Sequence, residues 1–135
     1  MQRIIYISTA RAPMSNADLD GLLLTARRNN AAAGVTGMLV VGGQRFLQTL
    51  EGPDAAVDTI FARIKDDTRH HAVVTLSKKV IKRPAFGNWA MGYRAGGAPG
   101  TSNSLVEVVG ALLQPIEDPT IRAYFEGFAE LHAAA

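Results

Sequence analysis

The sequence predicts an α+β fold: a ferredoxin-like βαββαββ sheet with two helices on one face and a C-terminal helical pair covering the other. Three observations lead there. Strand-like and helix-like stretches follow one another in the order of a split βαβ repeat with one more strand. A Gly42-Gly43 pair sits between two apolar alternating runs, the signature of a hairpin. The first strand is apolar on both faces, Ile4 and Tyr6 on one and Ile5 and Ile7 on the other, so both faces of the sheet need a cover.

The elements follow in order. "RIIYIS" (3–8) is β-branched and aromatic and reads as a strand. "SNAD" (15–18) offers Ser15 as a helix cap and Asp18 in the first turn; Leu19, Leu22, Leu23 and Ala26 then recur at helical spacing, and the helix is expected to end near Asn29–Asn30. "GVTGMLVV" (34–41) and "QRFLQTL" (44–50) form the hairpin. Gly52-Pro53 opens a second helix, with proline at its first position and Val57, Ile60, Phe61 and Ile64 as its apolar stripe. "HAVVTLSKKVI" (71–81) is a fourth strand, and "FGNWAMGYRA" (86–95) a short fifth in which Trp89, Met91 and Tyr93 alternate onto one face. Gly96, Gly97, Pro99 and Gly100 make a linker. Residues 103–113 read as a helix capped by Asn103 or Ser104 and stopped by Pro115; another starts at Asp118-Pro119, with Ile121, Tyr124, Phe125, Phe128 and Leu131 on one side. The expected organisation is a domain over 1–95, a linker over 96–102 and a helical extension over 103–135.

Composition excludes several classes. Of 135 residues 47% are hydrophobic and 19% charged, which supports one packed domain. A net charge of +2 is too balanced to point to nucleic acid. There is no cysteine, hence no disulfide, thiolate nucleophile or cysteine–zinc site, and no metal site is expected. The first strand starts too early to leave room for a signal peptide, and no apolar run reaches the roughly 20 residues of a membrane helix. A cytoplasmic protein, not bound to membranes, is expected.

Within "RFLQTLEG" (45–52), alternation places Gln48 between Phe46 and Leu50 on the face that looks buried. An amide buried without partners costs about 1–3 kcal/mol, so Gln48 has partners in the protein or a polar ligand beside it. Tyr6, Asn29, Asn30, Trp89 and Met91 reach the same layer. No carboxylate or histidine obviously joins them, poor equipment for acid–base hydrolysis but suited to gripping a flat heteroaromatic ring by its polar edge. Plain structural roles exist beside this: Tyr6 as a core tyrosine, Asn30 as a helix C-cap, Trp89 and Met91 as packing, and Gln48 as a partner of Tyr6 across paired strands.

The combination resembles the BLUF family, flavin-binding sensors of blue light. The matching pieces are "IIYIS" with Tyr6, "NNAAAGVTGMLV" with Asn30, "RFLQTLEG" with Gln48, "IKDDTRHHAV" with Ile64, Arg69 and His70, and "FGNWAMGY" with Trp89 and Met91, in consistent order over about residues 1–95. The resemblance implies a photoreceptor rather than an enzyme. Tyr6 would be the photochemical electron donor, and Gln48 would lie between its hydroxyl and the flavin's N5/O4 edge. Asn30 would bond the pyrimidine side, with Asn29 beside it. Ile64 and the first-helix leucines would sandwich the ring, and Arg69 and His70 would join the cofactor site. Met91 would neighbour Gln48, with Trp89 competing for that place. Arg27, Arg28, Lys65 and Arg69 are candidate neighbours of the phosphates. FAD is the cofactor expected from family habit, FMN and riboflavin being alternatives. Light would drive transfer from Tyr6 and leave the hydrogen bonds of Gln48 rearranged, by rotation or tautomerisation; the signal would pass through residues 89–100 to the helical tail. The residues after Arg94 suffice for two helices and no catalytic domain, so a homo-oligomer and a separate downstream protein partner are expected. The competing readings on this fold are a small acylphosphatase-like hydrolase and a regulatory or RNA-binding module.

Overall fold

The computed structural model describes residues 1–12, 15–42, 44–86, 92–95 and 105–132. Among the described residues nine elements follow in order: β1 (Gln2–Ala10), α1 (Asn16–Ala33), β2 (Thr36–Gly42), β3 (Arg45–Gly52), α2 (Asp54–Asp66), β4 (His70–Val80), β5 (Gly92–Ala95), α3 (Leu105–Leu113) and α4 (Pro119–His132). They form one five-stranded sheet in the order β4-β1-β3-β2-β5. β1 lies antiparallel to both β3 and β4, β2 antiparallel to β3, and β5 parallel to β2. This is the predicted α+β, ferredoxin-like arrangement.

Two apolar layers sandwich the sheet, as the doubly apolar β1 requires. On the inner face Ile4, Tyr6, Leu39, Phe46 and Leu50 pack against Leu19 and Leu23 of α1 and Val57, Ile60 and Phe61 of α2. On the outer face Ile5, Met38, Val40 and Leu47 pack against Val109 and Leu113 of α3 and Ile121, Phe125 and Phe128 of α4. The face that an RNA-binding module would expose is therefore covered. Among the described residues no helix is long and apolar enough to cross a membrane.

Several boundaries differ from expectation. α1 starts as predicted: the Ser15 hydroxyl accepts the Asp18 amide at 3.1 Å, and the Ser15 amide donates back to the Asp18 carboxylate at 3.1 Å. It runs past Asn29–Asn30, because three alanines continue it to Gly34, whose φ of 71° supplies the left-handed stop. Asn30 is thus no C-cap. Gly42 pairs with Arg45 as the last residue of β2, so it belongs to the strand and not to the predicted turn. Pro53 is the N-cap of α2 instead of its first residue. Phe86 precedes the fifth strand and packs in the outer layer, and Leu131 projects outward, 81% exposed. The expected caps Asn103 and Ser104 and the Gly/Pro linker lie outside the described residues.

A candidate binding cleft between the two inner helices

Direct pairing of Tyr6 with Gln48 across β1 and β3, and of Gln48 with Leu39 across β2, sets three side chains in one row on the inner face. The Tyr6 hydroxyl donates to Gln48 Oε1. Both residues are buried, and the Tyr6 ring lies 5.2 Å from that of Phe61. Burial, with the negative charge of Asp67 adding to it, pushes the Tyr6 phenol far above the usual tyrosine range. It is a neutral proton donor at any physiological pH. An amide that accepts through Oε1 keeps its two Nε2 donors on the opposite side of the carboxamide.

Above this row the inner helices part. Leu22 and Ala26 of α1 and Ile64 of α2 form the walls, with Leu39 and Phe46 on the sheet side. Two adjoining compartments, with cavity volumes of about 80 and 120 Å³, share Leu22, Ala26, Gln48, Ile64, Asp67 and Arg69. Mostly hydrocarbon walls, separated by a slot, with an amide and a phenol at the base, fit a planar aromatic ring with a polar edge. One compartment continues past Asn29, Asn30 and Arg63 towards the surface.

The expected site residues converge unevenly. Tyr6, Gln48, Asn30, Ile64, Arg69 and His70 all line the cleft. Asn29 stands at its mouth, exposed, whereas Asn30, one helical step on, turns inward and is 2% exposed. Trp89 and Met91 lie outside the described residues. Of the four candidate phosphate neighbours, Arg69 lines the cleft; Arg27, Arg28 and Lys65 are not among its lining residues, and Lys65 Nζ instead sits 5.0 Å from the Phe61 ring centroid. Arg63, which was not among the four, does line the cleft.

Sequence reasoning missed Ser8, Asp67 and Arg63. His70 Nε2 lies 2.5 Å from the Ile64 carbonyl, which can only accept, so this nitrogen carries a proton. His70 Nδ1 meets the Ser8 hydroxyl at 2.9 Å. The imidazole therefore ties the end of α2, and with it the Ile64 wall, to β1. Asp67 caps the turn after α2 and grips Arg69: its Oδ1 accepts the Arg69 amide at 2.9 Å and Nε at 3.0 Å. The Arg69 side chain, outweighing a smaller burial effect, holds the Asp67 carboxyl below its ordinary range. Ser8 and Asp67 stand as polar residues inside the matched motifs "IIYIS" and "IKDDTRHHAV", but only the structure shows that they line the same cleft.

The BLUF family model, described as sensors of blue-light using FAD, matches residues 1–92. The photoactivated adenylate cyclase subunit beta of Euglena longa is 41% identical over 83 residues, 62% of this chain and 10% of that protein. The corresponding Euglena gracilis subunit is 40% identical over the same length. The chain thus spans about a tenth of these relatives. Among solved structures, Klebsiella pneumoniae BlrP1 in a manganese and cyclic-diGMP complex superposes with a TM-score of 0.80 at 26% identity, over 96% of this chain and 32% of that one. BlrB, a BLUF protein in its dark state, shares the fold with a TM-score of 0.73 at 24% identity, over 99% of this chain and 96% of that one.

Proposed function

The chain belongs to the BLUF family of blue-light sensors using FAD, and we propose that Tyr6 and Gln48 are its photochemical switch. It is a flavin-binding sensory module and not itself a catalyst. The observation that carries the assignment is the buried Tyr6–Gln48 hydrogen bond at the base of an apolar slot between two helices.

In this reading the ring lies between Leu22 and Ala26 on one side and Ile64 on the other. Gln48 meets its polar edge, Asn30 bonds its pyrimidine side, and Asn29 stands nearby. Arg63 and Arg69 face the phosphates. His70 holds Ile64 in place through its backbone. Trp89 and Met91 are assigned to the neighbourhood of Gln48 on the family resemblance. Bound flavin supplies the light absorption and, once excited, the oxidising power that takes an electron from a neighbouring phenol. Tyr6, held neutral by burial, cannot keep its proton when oxidised, and Gln48 Oε1 is the acceptor already in contact. Return of electron and proton restores Tyr6. The carboxamide, whose donors and acceptor lie on opposite sides, is left with its bonds exchanged. Glutamate lacks the donors and leucine lacks both.

FAD is the assigned flavin. Residues 1–95 form the flavin-binding domain in this account, 96–102 a linker and 103–135 the output extension, acting in the cytoplasm. A homo-oligomer and a separate protein partner complete it; exposed Val106 and Leu131 on α3 and α4 support such contacts. The test is the absorption spectrum of the flavin-loaded protein before and after blue light, in the unmodified chain and in Gln48→Leu. The unmodified protein shifts slightly red and recovers in darkness, and Gln48→Leu stays yellow without shifting. A Gln48→Leu protein that shifts normally would refute the assignment.

A further inference from the structure

On the outer face of the sheet two charges, Arg3 and Glu51, are buried, and Asp118, 23% exposed, reaches Arg3 from the start of α4. Arg3 and Glu51 are direct partners across β1 and β3 and are 3% and 1% exposed. Arg3 Nε donates to Glu51 Oε2 at 2.7 Å, and its terminal NH1 donates to Asp118 Oδ2 at 2.9 Å. Burying such a chain is weak evidence for stability, since well-packed hydrocarbon commonly does as well or better. Its value lies in what the two carboxylates also hold. Glu51 Oε1 accepts the Ala85 amide at 2.7 Å, on the path from β4 to β5. Asp118 Oδ1 accepts the amides of Thr120 and Ile121 at 2.9 and 3.2 Å, forming the N-terminal cap of α4. Glu51 is three residues from Gln48 on the same strand.

We infer that Arg3, Glu51 and Asp118 form a rigid coupling rod that carries a displacement of β3 at Gln48 to the start of α4 and to Ala85. This rests on the photosensor reading and names the route by which that site acts on the helical extension. A guanidinium bonded to one carboxylate through Nε and to another through NH1 fixes direction as well as distance, because its fork is planar. An apolar contact between sheet and helix can slide by comparison. Through the rod, a shift of β3 pulls on the α4 cap directly, without first passing along the β5 segment. All three are positioning residues; none touches the inner cleft.

The test is amide hydrogen exchange of α4 in darkness and under blue light, on the full flavin-loaded chain, with the flavin spectrum recorded on the same samples. Arg3→Lys keeps the positive charge between the carboxylates but not the two-pronged bridge. Glu51→Gln keeps an oxygen for Ala85 and loses the ionic bond. The unmodified chain shows both the spectral shift and a light-induced change in α4 exchange. Both variants are expected to keep the spectral shift and lose most of the α4 change, about fivefold or more as for a typical allosteric coupling. A merely structural role lowers α4 protection in darkness and leaves the light-to-dark ratio untouched; that ratio persisting in both variants overturns the inference. Absence of a spectral shift in the unmodified chain refutes the photosensor reading itself, and the coupling with it.

Discussion

Replacing Tyr6 with phenylalanine removes a single hydroxyl and separates the photochemical role of that group from its packing role. The ring still lies against Phe61, and the hydrocarbon buried on the inner face is nearly unchanged. What is lost is the donor to Gln48 Oε1. Gln48 is 5% exposed, so water does not readily replace that donor. A buried acceptor stripped of its partner costs about 1–3 kcal/mol, and the phenol's own relief from desolvation returns part of it, leaving a net loss of about 1 kcal/mol. For a domain of this size that lowers the melting temperature by about 3–5 °C. The light response is affected altogether differently: Tyr6→Phe keeps flavin and colour but has no donor to oxidise, so the light-minus-dark difference spectrum is flat. Thermal unfolding in darkness and that difference spectrum form the assay. A Tyr6→Phe protein that shifts and recovers like the unmodified one refutes the reasoning.

Three further outcomes follow from the geometry. A Cβ on Gly37 would stand 1.9 Å from the Thr49 carbonyl oxygen, so Gly37→Ala must push β2 from β3 beside Gln48; a loss of about 2–3 kcal/mol in urea unfolding and weaker flavin retention are expected. Ala72 has φ of 54° at the β4 irregularity facing Ser8; Ala72→Gly relieves about 1–2 kcal/mol of strain against a somewhat smaller entropic cost, and raises the urea midpoint slightly. Asp118 is held below its ordinary value of 3.8: burial acts to raise it, but the Ile121 amide, Arg3 and the Thr120 amide together outweigh that. A depressed folded value means that its stabilisation is complete above about pH 4 and is lost as pH falls through the folded value. Unfolding measured from pH 7 down to 2.5 is expected to show an acid limb that is shallower in Asp118→Asn.

The order of the elements and the two-faced sheet were legible because alternation and helical spacing are local. So was the inner layer: once Gln48 and Tyr6 are on strands, their residue parity fixes their faces. Their direct pairing was legible only as one plain role open to Gln48, since register is set by contacts 42 residues apart. The end of α1 was misjudged because two asparagines look like a terminus, while the alanines after them and Gly34 carry the helix one turn further. That turn decides which asparagine faces the cleft. Arg3 and Glu51 share the outer face of their strands with Ile5 and Thr49, but nothing in the sequence singled them out. Asp118 read only as a helix start, and its link to Arg3 depends on how α4 docks.

The central claim is that one carboxamide stands between a phenol and the edge of a flavin ring. A crystal structure of the flavin-loaded protein grown and measured in darkness tests it directly. The account predicts the ring between α1 and α2, with the Gln48 carboxamide at about 2.7–3.2 Å from both the Tyr6 hydroxyl and the ring's polar edge. A ring bound elsewhere, or a carboxamide turned away from it, would contradict the account.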